Sequence, residues 1–147
     1  MHYMTQALSE AKIAAQRGEV PVGAVIVDST TGLVIATSGN ETENRKDPSA
    51  HAELLAIRSA CNVKNAPRLP ECDLYVTLEP CPMCATVISF ARLRRVYFGA
   101  RDAKGGGIDH GPKIFTHPTC HHKPEVYGGI DEQACAAILK EFFKDRR

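Results

Sequence analysis

The sequence has no hydrophobic run long enough to cross a membrane and no secretory signal. Its longest apolar stretch, Val20 to Val27, has eight residues, whereas a membrane-spanning helix needs about 20. The first residues lack the basic segment and following apolar segment that a signal peptide requires. We therefore expect a cytoplasmic protein with no membrane association, whose cysteines stay reduced.

Neither sign of charge dominates. There are 18 Lys and Arg residues against 17 Asp and Glu residues, for a formal net charge of +1. This balance excludes a strongly basic, histone-like binder and a strongly acidic solvating tail. It conceals an uneven distribution, because residues 1–84 carry a net charge of −3 and residues 85–147 carry +4.

Internal repeats, low-complexity tracts and linkers are also missing. The chain has 147 residues, of which 44% are hydrophobic and 24% charged, and these values are typical of a globular domain. We predict a single domain over residues 1–147, long enough to bury a core without disulfide bonds.

Six cysteines are present, an even number that would also fit three disulfide bonds. In a reducing compartment, however, cysteines are more often buried, metal-bound or catalytic. They are Cys61, Cys72, Cys81, Cys84, Cys120 and Cys135.

The pattern of apolar residues predicts an α/β fold. Helical spacing and helix-start signals predict helices over residues 2–16, 47 to about 61, 81–91 and 131–144. Short apolar, β-branched runs predict strands over residues 22–27, 33–37, 74–78 and 95–99, of which the first two form a hairpin. Beyond the hairpin, helices and strands alternate, which favours a sheet with helices on both faces.

Two segments stand out from this regular pattern: the start of the second helix and a long loop after the fourth strand. Asp47 and Pro48 have the chemistry of an N-cap and a first helical residue, so we expect the second helix to begin there. Residues 100–124 are rich in Gly and His and show little periodicity. A loop of that length is a candidate functional segment.

Two short motifs combine residues that bind zinc. They are His51-Ala52-Glu53 and Pro80-Cys81-Pro82-Met83-Cys84. Zinc takes imidazole and thiolate ligands, and cysteines three apart at a helix start lie on one face. The partial positive charge of a helix N-terminus also stabilises thiolates. We therefore predict that His51, Cys81 and Cys84 bind one zinc ion.

Three protein ligands leave a tetrahedral zinc ion with one open position, which is typical of a catalytic site. Water bound there becomes acidic enough to supply hydroxide near neutral pH. Glu53 is not needed as a ligand, so it can accept and return protons beside that water.

Other interpretations of the motifs remain open at this stage. A C-x-x-C motif alone also fits a redox pair or half of a zinc finger. A closed structural zinc site would need a fourth ligand, which Cys120, His121 or His122 could supply.

Together the motifs match the H-x-E and P-C-x-x-C signature of zinc nucleobase deaminases. Nearly the whole chain resembles the bacterial tRNA-specific adenosine deaminases. Beyond the two motifs, the resemblance is carried by residues 18–25 (GEVPVGAV), 74–79 (LYVTLE), 98–105 (FGARDAKG) and 142–147 (FFKDRR).

This resemblance implies a three-layer α/β/α fold of the cytidine deaminase type, with a five-stranded mixed sheet. It implies one zinc ion per subunit, a homodimer, and a tRNA anticodon stem-loop as partner. The implied reaction is hydrolytic deamination of the wobble adenosine of an arginine tRNA to inosine, with a zinc-activated water and Glu53 as proton shuttle.

The resemblance also assigns substrate contacts. Asn40 matches a family asparagine that hydrogen-bonds the target base, although on its own it also fits a turn after Gly39. Asp102 and Lys104 match positions near the anticodon nucleotides. The other substrate contacts that we expect are Ala52, Arg101, His122, Phe143 and Arg146.

The basic C-terminal half fits phosphate contacts, although we expect a solvated helix face with scattered ion pairs to account for about half of its cations. Its candidate cations are Arg92, Arg94, Arg95, Arg101, Lys104, Lys144, Arg146 and Arg147.

The chain departs from the family pattern at three places. His121 stands where the family often has Asn, Ala66-Pro67 replaces a frequent Trp, and residues 106–120 differ from the best-known members. Two alternatives to the tRNA reaction remain: a deaminase of the same fold acting on a free base or nucleoside such as guanine or cytosine, and a zinc module that contacts RNA without chemistry.

Overall fold

A computed structural model describes residues 2–144 and 146 as a five-stranded mixed sheet covered by helices. The strands are β1 (Gly23–Asp28), β2 (Val34–Gly39), β3 (Cys72–Leu78), β4 (Arg95–Ala100) and β5 (Glu125–Tyr127). Their order in the sheet is β2-β1-β3-β4-β5. β1 is antiparallel to both of its neighbours, whereas β3, β4 and β5 are parallel.

Helices cover both faces of this sheet. They are α1 (Tyr3–Gln16), α2 (Thr42–Arg45), α3 (Ala52–Lys64), α4 (Pro82–Phe90) and α5 (Glu132–Lys144). α1 and α5 pack on one face, whereas α3 and α4 pack together on the other. The three-layer α/β/α architecture and the five-stranded mixed sheet are therefore confirmed.

The site-bearing face is closed by a core of small and β-branched side chains. From α3 it takes Ala52, Ala56 and Ala60, which are fully buried, and α4 adds Ala85 and Ile88. Small side chains let the helix backbones approach the sheet and each other closely.

Most elements lie within two residues of the sequence prediction, but the predicted start of the second helix was wrong. α3 begins at Ala52, with His51 as its N-cap, rather than at Asp47. The Asp47 carboxylate instead accepts hydrogen bonds from the backbone N–H of Ser49 at 2.9 Å and the Ser49 hydroxyl at 2.7 Å. These bonds close a turn that competes with helix formation.

Three short elements have no periodic pattern in the sequence. β5 has only three residues and is defined by its pairing with β4. α2 lies in the predicted polar loop, and its first amides donate to the buried carboxylate of Glu19, from Glu43 at 3.1 Å and Asn44 at 2.8 Å. A 3-10 helix, Ile114–Thr116, interrupts the long Gly- and His-rich loop.

Strand direction places the ends of three strands at one edge of the sheet. β2, β3 and β4 run the same way, so the residues after them, Asn40, Glu79 and Arg101, leave the sheet together. Ligands of α/β sheets bind outside the carboxyl ends of strands. This edge is therefore where the fold favours a site.

Two further expectations concern the cysteines and the membrane. All six cysteines lie within the described residues, and each is a free thiol. Among residues 2–144 and 146, no helix has the length and apolar character needed to cross a bilayer.

We predict that Gly23→Ala destabilises the fold, because α1 packs directly on β1. A Cβ atom at Gly23 would overlap the carbonyl oxygen of Ala7 and lie 2.6 Å from the backbone nitrogen of Ala11. Overpacking against backbone atoms should cost about 3 kcal/mol of the free energy of unfolding, measured by urea denaturation. Thr37→Ala, at an exposed position of β2, is the control and should cost less than about 1 kcal/mol. A loss at Gly23→Ala no larger than at Thr37→Ala would contradict this packing.

Candidate active site

The site is built where two helices begin. His51 is the N-cap residue of α3, and Cys81 is the N-cap residue of α4, with Pro82 at the first helical position. Cys84 lies in the first turn of α4 and is fully buried. Both helix N-termini direct partial positive charge toward this point, which favours anionic thiolates.

The three side chains have the separations that one zinc ion requires. His51 Nδ1 lies 3.5 Å from Cys81 Sγ and 3.6 Å from Cys84 Sγ. The three donor atoms all lie within 4.8 Å of one another. Tetrahedral zinc with typical bonds to sulfur and nitrogen places those atoms about 3.6 Å apart. The donor set and its geometry therefore fit zinc.

The candidate fourth ligands lie elsewhere. Cys120 Sγ contacts the hydroxyl of Ser89 at 3.4 Å and the carbonyl oxygen of His122 at 3.2 Å. His122 Nε2 lies 2.6 Å from the carbonyl oxygen of Leu93. Within the described residues, His51, Cys81 and Cys84 form the one group of potential ligands at metal-binding distance. This arrangement leaves a coordination position open for chemistry.

The electrostatics of the site favour a thiolate at Cys81. The hydrogen bond with the Cys84 thiol, together with the contact to His51, lowers the pKa of Cys81 to about 4. The same thiol contact and burial raise the pKa of Cys84. Binding of a divalent cation deprotonates a coordinating thiol outright, so the cation would ionise the second cysteine.

Glu53 stands beside the three donors. It lies in the first turn of α3, two residues after His51, and only 4% of it is exposed. Burial raises the pKa of Glu53 to about 7. A buried carboxyl group with such a pKa is suited to accept and donate protons.

Three of these residues open onto a cavity of about 300 Å³, a size at the lower end of small-molecule sites. Its lining residues are Val20, Val22, Asn40, Thr42, His51, Glu53, Leu78, Glu79, Cys81, Asp102 and Gly105. Thr42, Glu79 and Gly105 were not predicted as site residues from the sequence. Each lies close along the chain to a residue or motif that was predicted, and this proximity could have indicated them.

Asn40 and Ala52 are linked to each other in the cavity wall. The side-chain oxygen of Asn40 accepts the backbone N–H of Ala52 at 2.9 Å. That donor fixes the orientation of the amide, so the Asn40 amide nitrogen remains as a hydrogen-bond donor for a ligand. The backbone N–H of Ala52 is already used.

Asp102 and Lys104 lie on the loop that follows β4. Asp102 lines the cavity, and its carboxylate accepts the N–H groups of Lys104 at 3.2 Å and Gly105 at 2.9 Å. Lys104 is exposed on the same turn. Asp102 therefore lines the same cavity as His51 and Cys81, and Lys104 follows two residues later on the same loop.

The structure does not bring the remaining predicted contacts to the cavity wall. Arg101 pairs with Glu132 at 3.2 Å, and His122 is held by Leu93 as described above. Phe143 is half-exposed and packs edge-to-face on Phe142. The Arg146 guanidinium lies 3.6 Å from the centre of the Phe142 ring. The closing motif continues through Asp145 and Arg147, which lie outside the described residues.

Ion pairs account for part of the basic C-terminal half. Arg94 contacts Asp73 at 2.6 Å and Arg95 contacts Glu125 at 2.7 Å. With Arg101, three of the eight candidate cations are therefore neutralised locally, as a solvated charged face predicts.

A central sheet between helices, with His, Cys and Cys donors at two helix starts and a buried Glu beside them, defines a zinc-binding deaminase. Residues 1–100 match the family model of the cytidine and deoxycytidylate deaminase zinc-binding region.

Closer relatives narrow this class. A tRNA-specific adenosine deaminase of Agrobacterium fabrum is 54% identical over 146 residues, covering 99% of this chain and 95% of that protein. A structure solved in a study of A-to-I editing by tRNA deaminases at the wobble position is 55% identical, with a TM-score of 0.91 over 94% of this chain and 99% of that chain. The chain therefore belongs to the tRNA-specific adenosine deaminase family.

A more distant relative shows how widely the fold is shared. Guanine deaminase from Bacillus subtilis is 31% identical, with a TM-score of 0.64 over 98% of this chain and 91% of that chain.

We predict that Cys84→Ser lowers the bound zinc, because it removes one of three donors. Protein purified without added zinc should retain less than about a tenth of the wild-type metal by elemental mass spectrometry. Cys120→Ser is the matched control, since Cys120 is a free thiol outside the donor group, and it should retain the wild-type content. Loss of zinc from Cys120→Ser would instead indicate a closed, four-ligand site.

Proposed function

We propose that this enzyme hydrolytically deaminates the wobble adenosine of tRNA to inosine, with an arginine tRNA as substrate. The observation that carries the proposal is the zinc-fitting donor group beside buried Glu53, on the wall of a cavity of about 300 Å³. The 54% identity to a tRNA-specific adenosine deaminase over nearly the full chain supports the choice of substrate.

The cavity accepts a base only if the base leaves its stack. C6 of adenine is inaccessible inside stacked RNA, so the wobble nucleotide must be splayed out of the anticodon loop. The Asn40 amide nitrogen, held by its partner bond to Ala52, then donates a hydrogen bond to an acceptor on the purine edge. Because that donor is fixed before binding, little entropy is lost in orienting it.

We assign His51, Cys81 and Cys84 as the ligands of one zinc ion per subunit. When bound, zinc would supply Lewis-acid chemistry that lowers the pKa of a water molecule in the site. The remaining steps fall to the protein. Glu53, on the same wall as His51 and Cys81, is the one carboxylate in the first turns of α3 and α4.

Glu53 carries two protons in succession. As the water oxygen bonds to C6, Glu53 accepts one of the water's protons and passes it to N1 of the purine. It then takes the proton of the new hydroxyl group and gives it to the amine. The C6–N bond breaks, ammonia leaves, and the carbonyl of inosine remains.

RNA outside the cavity requires further contacts. Asp102 and Lys104 lie on the loop that borders the cavity, and we assign them to the nucleotides that flank the target base. Arg101, His122, Phe143 and Arg146 are proposed as more remote contacts, and Arg101 would exchange its pairing with Glu132 for a phosphate.

We further propose that the enzyme is a cytoplasmic homodimer. The surface that supports a dimer lies on α4, where Met83, within the cysteine motif, is 37% exposed and Phe90, at the end of the helix, is 72% exposed. Aromatic residues and Met are enriched at protein interfaces relative to the rest of the surface.

Glu53→Ala should retain zinc but lose deamination. Because the variant removes the proton carrier and leaves all three donors, kcat on an anticodon stem-loop should fall about 10²–10⁴-fold, measured as inosine formed. Glu141→Ala, at an exposed position of α5, is the control and should have wild-type kcat. Turnover by Glu53→Ala at the wild-type rate would contradict the assignment of Glu53 as the proton carrier.

Phe90→Glu should convert the dimer to a monomer in sedimentation experiments, since it places a charge in the proposed apolar contact. Leu33→Glu introduces the same charge at an apolar residue that is 64% exposed, between the hairpin strands and away from α4. That control should remain dimeric. A dimer in both variants would show that α4 is not the interface.

A further inference from the structure

Glu79 is a buried carboxylate that the chemistry above does not use. It lies between the end of β3 and Pro80-Cys81, and only 2% of it is exposed. Oε2 accepts backbone N–H groups from Ile108 at 3.2 Å, Asp109 at 2.9 Å and His110 at 3.1 Å. Three backbone N–H groups that converge on one oxygen are bound most strongly when that oxygen belongs to an ionised carboxylate.

The other oxygen of Glu79 is equally occupied. Oε1 accepts the backbone N–H of Asp102 at 3.0 Å and lies 2.8 Å from His110 Nδ1. The two oxygens together therefore hold both ends of the segment 102–110. Both carboxylate oxygens are thus occupied by contacts within the protein. Glu79 is therefore poorly placed to exchange protons with a substrate.

The segment held by Glu79 also contacts the turn that carries Cys81. Gly107 donates its backbone N–H to the carbonyl oxygen of Pro80 at 2.8 Å. A Cβ atom at Gly107 would lie 2.5 Å from the backbone nitrogen of Pro82. The loop backbone thus packs directly on the start of α4, an approach that only glycine permits.

The same segment forms part of the cavity wall. Asp102 and Gly105 line the same cavity as His51 and Glu53. Nothing periodic in the sequence keeps residues 102–110 in place, since they form neither helix nor strand. Burial of Ile108 in the core and the bond from the Ile114 N–H to the Gly107 carbonyl at 2.8 Å anchor the middle of the segment. The bonds to Glu79 fix both of its ends.

We propose that Glu79 is a positioning residue for deamination: it fixes the segment 102–110 against the Cys81 turn and so sets the wall against which the substrate nucleotide binds. This inference rests on the proposed function. It predicts an effect on substrate binding rather than on the chemical step, because Glu79 acts through the loop and not on the reacting atoms.

Glu79→Gln is the informative variant. Glutamine has the same shape, but one of its two terminal atoms is an NH₂ group, which donates hydrogen bonds and accepts none. At the Oε2 position that group would face the N–H groups of Ile108, Asp109 and His110, and at the Oε1 position it would face the N–H of Asp102. In either orientation at least one buried backbone N–H loses its acceptor.

The experiment compares Glu79→Gln with Asp28→Asn. Asp28 is also a buried carboxylate: it accepts the backbone N–H of Thr30 and pairs with Lys64. It is the last residue of β1, which runs antiparallel to β3, so it lies at the end of the sheet away from the cavity. Both variants should retain zinc in elemental analysis. Glu79→Gln should raise KM for the anticodon stem-loop at least tenfold and change kcat less than threefold, whereas Asp28→Asn should change neither parameter.

Amide hydrogen exchange tests the loop without any activity. In zinc-loaded protein, Glu79→Gln should accelerate exchange in the peptide 102–110 at least tenfold and leave α5 unchanged, because the buried amides lose their acceptor. This readout stands even if wild-type protein fails to deaminate the RNA, an outcome that would overturn the proposed function alone.

Three results would overturn the proposal for Glu79. One is wild-type exchange in residues 102–110 of Glu79→Gln. Another is a loss confined to kcat, which would place Glu79 in the chemical step. The last is an equal rise of KM in Asp28→Asn, which would reduce the effect to general destabilisation.

Discussion

The site depends on one packing constraint: α3 and α4 lie on the same face of the sheet, close enough for their first turns to meet. Fully buried alanines in both helices allow this approach. His51 and Cys81 begin the two helices, so helix packing alone brings the imidazole and the thiolates together. The partial charges of the two N-termini add to the electrostatic field at the same point. A residue inserted within the first turn of α4 would rotate Cys84 away from Cys81, since each helical residue turns by about 100°.

Around this fixed pair of helices, the rest of the site is formed by loops that buried carboxylates hold in place. Glu19 binds the first amides of α2, and Glu79 binds both ends of the segment 102–110. Regular elements therefore position His51, Cys81, Cys84 and Glu53, whereas loops anchored by buried carboxylates form other parts of the cavity wall.

The elements whose apolar residues recur with a helical or strand period were predictable from the sequence. α1, α5 and the first four strands carry clear apolar patterns, and the zinc donors are recognisable because each motif opens a helix. The start of α3 was missed because the turn between Asp47 and Ser49 uses the same residues as a helix cap. β5 was missed because three residues paired with β4 carry no pattern of their own. The role proposed for Glu79 depends on the path of a non-periodic loop. The RNA contacts proposed for Arg101, His122, Phe143 and Arg146 lie off the cavity wall and rest on the family resemblance.

The choice of substrate tests the proposed function most directly, because guanine deaminase from Bacillus subtilis shares the fold. Purified enzyme is incubated with an anticodon stem-loop bearing a wobble adenosine and, separately, with guanine, cytosine and free adenosine. If the proposed function is correct, inosine forms in the RNA and no ammonia is released from the free compounds. Ammonia released from a free base, with the RNA unchanged, would contradict it.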